Sequence, residues 1–306
     1  MVDVELDRDR FRGALCGLAA GDAVGTTLEF RPPGTFQPID DMVGGGPFGL
    51  TPGQWTDDTS MALCLAESLV ECGGKLDPAD QLARYHRWWR DGHLSSTGVC
   101  FDIGNTTTRA ILRWKNERTV TDPVVDQDAA ANGSLMRLAP VPMRWAADPT
   151  TAGERSAESS RTTHPADRPV QCCRVLGTLI ALAIGGTDKD DLLRPGRFAD
   201  LDLHPEVRDI VVGQSYLRRE PPDIRGTGYC VHALEATLWA FARSDSFRDA
   251  VLAAANLGDD ADTTAAICGQ LAGAFWGESG IPDAWRSKLA LPDTIDSLAE
   301  GLWQLT

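Results

Sequence analysis

Residues 13–25 read GALCGLAAGDAVG, with glycine at every fourth position: Gly13, Gly17, Gly21 and Gly25. On a helix, residues four apart share a face. Each glycine costs a helix about 1 kcal/mol relative to alanine, so a stripe of four needs a compensating gain. Close approach of a second backbone supplies one. Residues 265–277, AAICGQLAGAFWG, carry the matching stripe of Ala265, Gly269, Gly273 and Gly277. Charges stand near both segments, so they read as tight central helices of a bundle and not as membrane spans.

The rest of the chain follows the same helical period. DPADQLARYHRWWRDG, residues 77–92, has Asp77 to cap, Pro78 at the first helical position and Gly92 to stop the helix. Leu82, Tyr85 and Trp89 fall on one face at helical spacing. Similar segments lie near 9–24, 58–72, 102–116, 168–185, 229–243, 246–256, 262–277 and 293–304, and no alternating strand pattern stands out. Residues 31–54, RPPGTFQPIDDMVGGGPFGLTPGQ, form a long irregular loop of the kind that is often functional. No linker divides the chain. The expectation is one all-α domain over residues 1–306.

Composition narrows the function classes. The apolar share is 42% over 306 residues, enough for a sizeable core. The net charge of −15, without a basic patch, argues against nucleic acid or an anionic membrane as partner. The start, MVDVELDRDRFRG, lacks the apolar run of a signal peptide, and the longest apolar stretch, 175–186, is too short to span a bilayer. Eight scattered cysteines without a CxxC read as reduced thiols in a cytoplasmic protein.

Two acidic clusters stand out against this background. QWTDDTSMAL places Thr56, Asp57 and Asp58 ahead of an apolar helix, and LGDDADTTAA places Asp259, Asp260, Asp262 and Thr263 ahead of another. Capping explains one Asp or Thr per helix start. These clusters each supply three or four. Carboxylates so close repel unless a cation or a strong donor set compensates. Oxygen-only ligands select a hard cation such as Mg²⁺, Ca²⁺ or Mn²⁺, and no His or Cys lies near enough in sequence to suggest zinc. Two clusters suggest a two-metal site. Three further stretches carry chemistry or an ordinary turn: Glu29 in GTTLEF, Asp102 in CFDIGNTTTRAI, and Asn132, Gly133 and Ser134 in ANGSLMRLAP, whose small residues leave amides free for an anion.

Together, GALCGLAAGDAVG, WTDDTSMAL, FDIGNTT, NGSLMRLAP, THPADRP and NLGDDADTTAAICGQLAGA resemble the ADP-ribosylglycohydrolase family, in that family's order and over most of the chain. The resemblance implies an all-α orthogonal bundle and a binuclear Mg²⁺ or Mn²⁺ centre. Its ligands would be Thr56, Asp57 and Asp58 with Asp260, Asp262 and Thr263; Asp259 would support or cap. It further implies Asp102 beside the reacting ribose and Glu29 on a mobile segment over the metals. Asn132, Gly133 and Ser134 would line the diphosphate path, His164 would face the same groove, and Tyr229 would pack on adenine. The implied reaction removes mono-ADP-ribose from a modified side chain, with the arginine linkage favoured, Asp102 as acid/base and Glu29 as second choice. A neighbouring cation is expected to keep both ionised. The alternatives are an O-linked (serine) acceptor or a small ADP-ribosyl metabolite, a non-catalytic ADP-ribose-binding relative, and a metal-dependent phosphatase.

Overall fold

The computed structural model describes residues 6–306. They form fifteen α-helices and three short 3₁₀ turns, and among the described residues there is no strand, only isolated bridges at Gly45–Leu50 and Ala131–Tyr229. The longer helices are Arg8–Gly25, Asp57–Glu71, Pro78–Asp91, Asn105–Glu117, Pro149–Ser160, Asp167–Ile184, Cys230–Arg243, Phe247–Ala255, Ala261–Trp276 and Pro292–Trp303. None is long and apolar enough to cross a membrane. All eight cysteines are free thiols.

The two glycine helices pack against each other antiparallel, at backbone contact. A Cβ added at Gly13 would lie 2.2 Å from the Gly273 carbonyl oxygen, at Gly17 2.3 Å from that of Gly269, at Gly21 2.2 Å from that of Ala265, and at Gly25 2.3 Å from that of Ala261. No side chain fits at these points. The pair lies at the centre of one contiguous core that runs from Phe11 to Leu302.

Local signals set the other helices. Asp77 accepts from the amides of Ala79 and Asp80, and Gly92 closes the helix in the left-handed region (φ 68°). Asp7 and Asp148 cap their helices in the same way. On the Pro78–Asp91 helix the buried aromatic partner of Leu82 and Tyr85 is Trp88, not the expected Trp89, which is only half-buried. The helix expected from residue 102 begins at Asn105, because Asp102 itself adopts φ 57° and cannot join it. The Pro149–Ser160 helix was not expected. Its buried face is Ala152, Gly153, Ser156, Ala157, Ser159 and Ser160, and it lies close on the Asp167–Ile184 helix.

The long loop is irregular, as expected, and is tied down along its length. Asn256 holds both the amide and the carbonyl of Ile39, at 2.8 and 2.9 Å, and Lys288 donates to the Met42 carbonyl at 3.1 Å.

Gly17→Ala adds helix propensity but forces the central pair apart. Overpacking of a close-packed core costs about 1–3 kcal/mol, more than the ~1 kcal/mol gained in propensity. Urea unfolding is expected to show a net loss for Gly17→Ala. Gly196→Ala, whose Cβ would meet nothing within 4 Å, is expected to stay within about 0.5 kcal/mol of the parent. Equal stabilities would remove the backbone contact as the reason for the stripe.

Candidate metal centre and cleft

The Asp57–Glu71 and Ala261–Trp276 helices start side by side, next to the C-terminal half of Arg8–Gly25. Their first residues do not cap. Neither Thr56 nor Asp260, the N-cap positions, donates or accepts a side-chain capping bond, whereas Asp7, Asp77, Asp148 and Asp188 all cap their helices. The side chains of the two clusters point instead at each other. Thr56 Oγ1 lies 2.9 Å from Asp22 Oδ1, 3.1 Å from Asp58 Oδ2 and 3.1 Å from Asp262 Oδ2. Thr263 Oγ1 lies 3.5 Å from Asp58 Oδ2. Oxygens of Asp22, Asp58 and Asp262 gather within 4.8 Å of one another, and so do those of Glu29, Asp102 and Asp262.

Asp22 was not singled out in the sequence, and it organises the first cluster. It is fully buried and accepts four hydrogen bonds, from the amides and hydroxyls of Thr56 and Thr59, at 2.7–3.0 Å. A hydroxyl has one hydrogen to give. If Thr56 gives it to Asp22, its lone pairs face Asp58 and Asp262. The signal in the sequence was an aspartate inside an otherwise apolar, glycine-rich helix, where an unpaired charge is costly.

The electrostatics of the cluster are unbalanced. Asp57, Asp58 and Asp262 are buried, and burial together with the neighbouring carboxylates raises all three well above the ordinary aspartate value. Burial lifts Asp22 only to about 6, because its four donors oppose the rise. Asp260 is raised by burial and restrained by Asn132, whose Nδ2 donates to Asp260 Oδ2 at 2.7 Å. The ion pairs of the described residues lie elsewhere, for example Arg12 with Glu278 at 2.6 Å and Arg219 with Glu235 at 3.0 Å. Asp58 Oδ1 and Glu29 Oε2 are buried without a partner. Orphaned acceptors amid converging carboxylates and hydroxyls suit a hard divalent cation, which neutralises the repulsion and fills the vacant acceptor sites.

A cleft of about 340 Å³ opens over this cluster, a size that suits a small-molecule ligand. Glu29, Asp57, Asp102, Asn132, Asp260 and Thr263 line it, with Gly133 and His164 on the far wall. Glu29 is 2% exposed and sits at a turn: the amide of Phe30 donates to Asp259 O at 2.6 Å and that of Arg31 to Leu28 O at 3.0 Å. Burial is the largest cause of its raised pKa, followed by Asp262 and Asp102; Asp102 is raised by burial too. Without a cation the pair therefore retains a proton, and the expected ionisation of both depends on metal. Asp259 caps nothing. Its backbone holds the turn, accepting from Phe30 and donating to Arg31 O at 2.9 Å.

The far wall is built on Arg137, also not foreseen. Arg137 is 1% exposed and donates to Gly133 O at 2.8 Å and to Thr163 Oγ1 at 2.6 Å. Thr163 Oγ1 also lies 2.7 Å from His164 Nδ1 and has its own hydrogen to give there. With Thr163 as that donor, the imidazole hydrogen sits on Nε2. Burial, with Arg137 nearby, lowers His164 to about 3, so the ring is a neutral donor. A Cβ at Gly133 would lie 2.9 Å from His164 Cε1, so only glycine leaves room for the ring. The amides of Gly133 and Ser134 donate to no acceptor among the described residues.

Of the residues expected to bind substrate, two, Ser134 and Tyr229, stand apart from the cleft lining. The Ser134 side chain turns into the core, 2.8 Å from Ser160 Oγ. Tyr229 packs edge-on to His232 (5.0 Å), bonds Arg168 at 3.0 Å and Glu206 at 2.7 Å, and carries the Arg168 guanidinium over its ring.

The model for ADP-ribosylglycohydrolases matches residues 3–306. The chain is 46% identical to the ADP-ribosylarginine hydrolase Tri1 of Pseudomonas putida, over 96% of this chain and 78% of that protein. It is 35% identical to the ADP-ribosyl-[dinitrogen reductase] glycohydrolase of Rhodospirillum rubrum, over 92% of this chain and 90% of that one. A solved structure, an ADP-ribosylglycohydrolase-related protein complex, superposes with a TM-score of 0.86 at 41% identity, covering 97% of this chain and 98% of its own.

Raised carboxyl pKa values set a sign for stability. The folded metal-free protein holds protons that the unfolded chain releases near pH 4. The stabilising contribution is complete below that pH and is lost as pH rises through the folded values, about 6 for Asp22 and well above the ordinary aspartate value for Asp57, Asp58 and Asp262. Urea midpoints of the metal-free protein are expected to fall from pH 5 to pH 8, and saturating Mg²⁺ is expected to restore them. In the same metal-free series Asp58→Asn is expected to be the more stable chain at pH 8.

Proposed function

Because the chain belongs to the ADP-ribosylglycohydrolase family, we propose that it is a metal-dependent hydrolase that removes mono-ADP-ribose from arginine side chains. The observation that carries this reading is the meeting of the two uncapped acidic helix starts under a cleft walled by Glu29 and Asp102. The relatives named as ADP-ribosylarginine hydrolases, at 46% and 42% identity, favour arginine over serine as acceptor.

Thr56, Asp57 and Asp58 with Asp260, Asp262 and Thr263 would hold two Mg²⁺ or Mn²⁺ ions, with Asp22 orienting Thr56 and Asn132 orienting Asp260. Such ions supply fixed charge that orients the ribose hydroxyls. Asp102 takes a proton from the water that attacks the anomeric carbon, and the departing guanidine nitrogen receives it back. Glu29, more deeply buried beside Asp262 and Asp102, keeps Asp102 at the cleft mouth. The free amides of Gly133 and Ser134 and the Nε2–H of His164 bind the diphosphate. These donors act at contact distance, as they must in a protein of net charge −15.

The test is incubation with ADP-ribosyl-arginine and ADP-ribosyl-serine peptides, with and without Mg²⁺. Release of ADP-ribose from the arginine peptide alone, abolished by chelator, is expected. Asp58→Asn is expected to lower that activity roughly 100-fold or more while keeping the fold. Wild-type turnover by the variant would remove Asp58 from the site. Calorimetry is expected to show ADP-ribose binding much more tightly with Mg²⁺ than with chelator, and with a mild dependence on monovalent salt.

A further inference from the structure

Three phenylalanines stand close to Glu29 and Asp102, two of the carboxylates that line the cleft. Phe30 directly follows Glu29, and Phe101 directly precedes Asp102. Phe48, from the long loop, lies between them, with ring centroids 6.3 Å from Phe30 and 5.0 Å from Phe101. Phe30 lines the cleft, yet 62% of it is in contact with solvent. Its backbone is also in the left-handed region, at φ 59°. That conformation is a genuine outlier for a bulky residue and free of strain for glycine. Burial gives no account of a large apolar ring held in water on strained backbone. The amide bond to Asp259 explains the turn but not the ring.

The faces of these rings also carry none of the chain's own cations. Arg and Lys lie over Trp303, Trp114, Tyr229 and Trp239, among others, but over none of these three rings among the described residues. Phe30 therefore presents an open ring to the cleft, backed by the half-buried Phe48 and Phe101 and edged by Glu29 and Asp102. That combination suits a planar cation, attracted by the ring faces and by the carboxylates together. On the function proposed above, such a group has to pass this point: the guanidinium leaving the anomeric carbon beside Asp102 and Glu29 keeps its plane and its charge.

We infer that Phe30, Phe48 and Phe101 form the acceptor subsite, which receives the arginine guanidinium and selects it over neutral hydroxyl acceptors. This rests on the arginine reading of the site. Phe30→Leu keeps an apolar side chain and removes the π face. It is expected to raise KM for an ADP-ribosyl-arginine peptide about tenfold, with a smaller change in kcat. Phe30→Trp, which restores a π face, is expected to recover most of that loss. Phe30→Gly, which relieves the backbone, is expected to unfold no earlier than the parent and to lose at least as much as Phe30→Leu. Affinity for free ADP-ribose, which has no acceptor, is expected to stay within about twofold throughout, as read by calorimetry with Mg²⁺. A wild-type KM in Phe30→Leu, or an equal loss of ADP-ribose affinity, overturns the acceptor subsite and leaves the hydrolase reading standing. Wild-type protein that leaves the arginine linkage intact overturns both.

Discussion

The contact between two bare backbones fixes the rest of this structure. Where the Arg8–Gly25 and Ala261–Trp276 helices meet, carbonyl oxygens of one lie where Cβ atoms of the other would be. At the site end, Gly25 packs on Ala261, one residue before Asp262 and three after Asp22. The distance between these carboxylates is thus set by helix-on-helix contact and not by flexible side chains. Without the contact, Asp22 would reach its threonines but not the second cluster.

That rigidity holds together groups that repel. Buried carboxylates with no positive neighbour would normally push their supports apart or take up protons. Here the packed helices hold them in place, and the four donors to Asp22 limit its rise to about 6 while Asp57, Asp58 and Asp262 are raised well above the ordinary value. The core around the cluster opposes the strain, and a divalent cation relieves it. Stability and metal affinity are therefore two readings of one balance. On the proposed reading, the carboxylate crowding that weakens the metal-free protein would also be what draws a divalent cation to the site.

Much of this was legible in the sequence, for reasons that differ by element. The glycine stripes, the proline and glycine punctuation of the Pro78–Asp91 helix, and the doubled acidic residues are short-range signals, and the structure keeps them. The Pro149–Ser160 helix was not legible, because its buried face is made of alanine, glycine and serine and has almost no apolar contrast. Asp102 cut short an expected helix through its own left-handed backbone, which periodicity cannot reveal. Asp22 and Arg137 sit inside legible motifs, but their partners, Thr59 and Thr163, are 37 and 26 residues away along the chain. Ser134 shows the converse limit. Its place in a turn was readable, and the direction of its hydroxyl was not, since that depends on Ser160 from another helix.

The wall made by Arg137, Thr163 and His164 has a consequence for how the cleft responds to its surroundings. The imidazole, lowered to about 3 by burial and by Arg137 beside it, stays neutral above that pH. One side of the cleft is therefore an invariant ruler, while the other, made of carboxyls, titrates. On the proposed reading, a pH profile of this protein would then report on the carboxyl side of the cleft. On the proposed reading, that wall would offer a diphosphate the same donors at acid as at neutral pH, so the ligand would keep its footing while the chemistry beside it is switched.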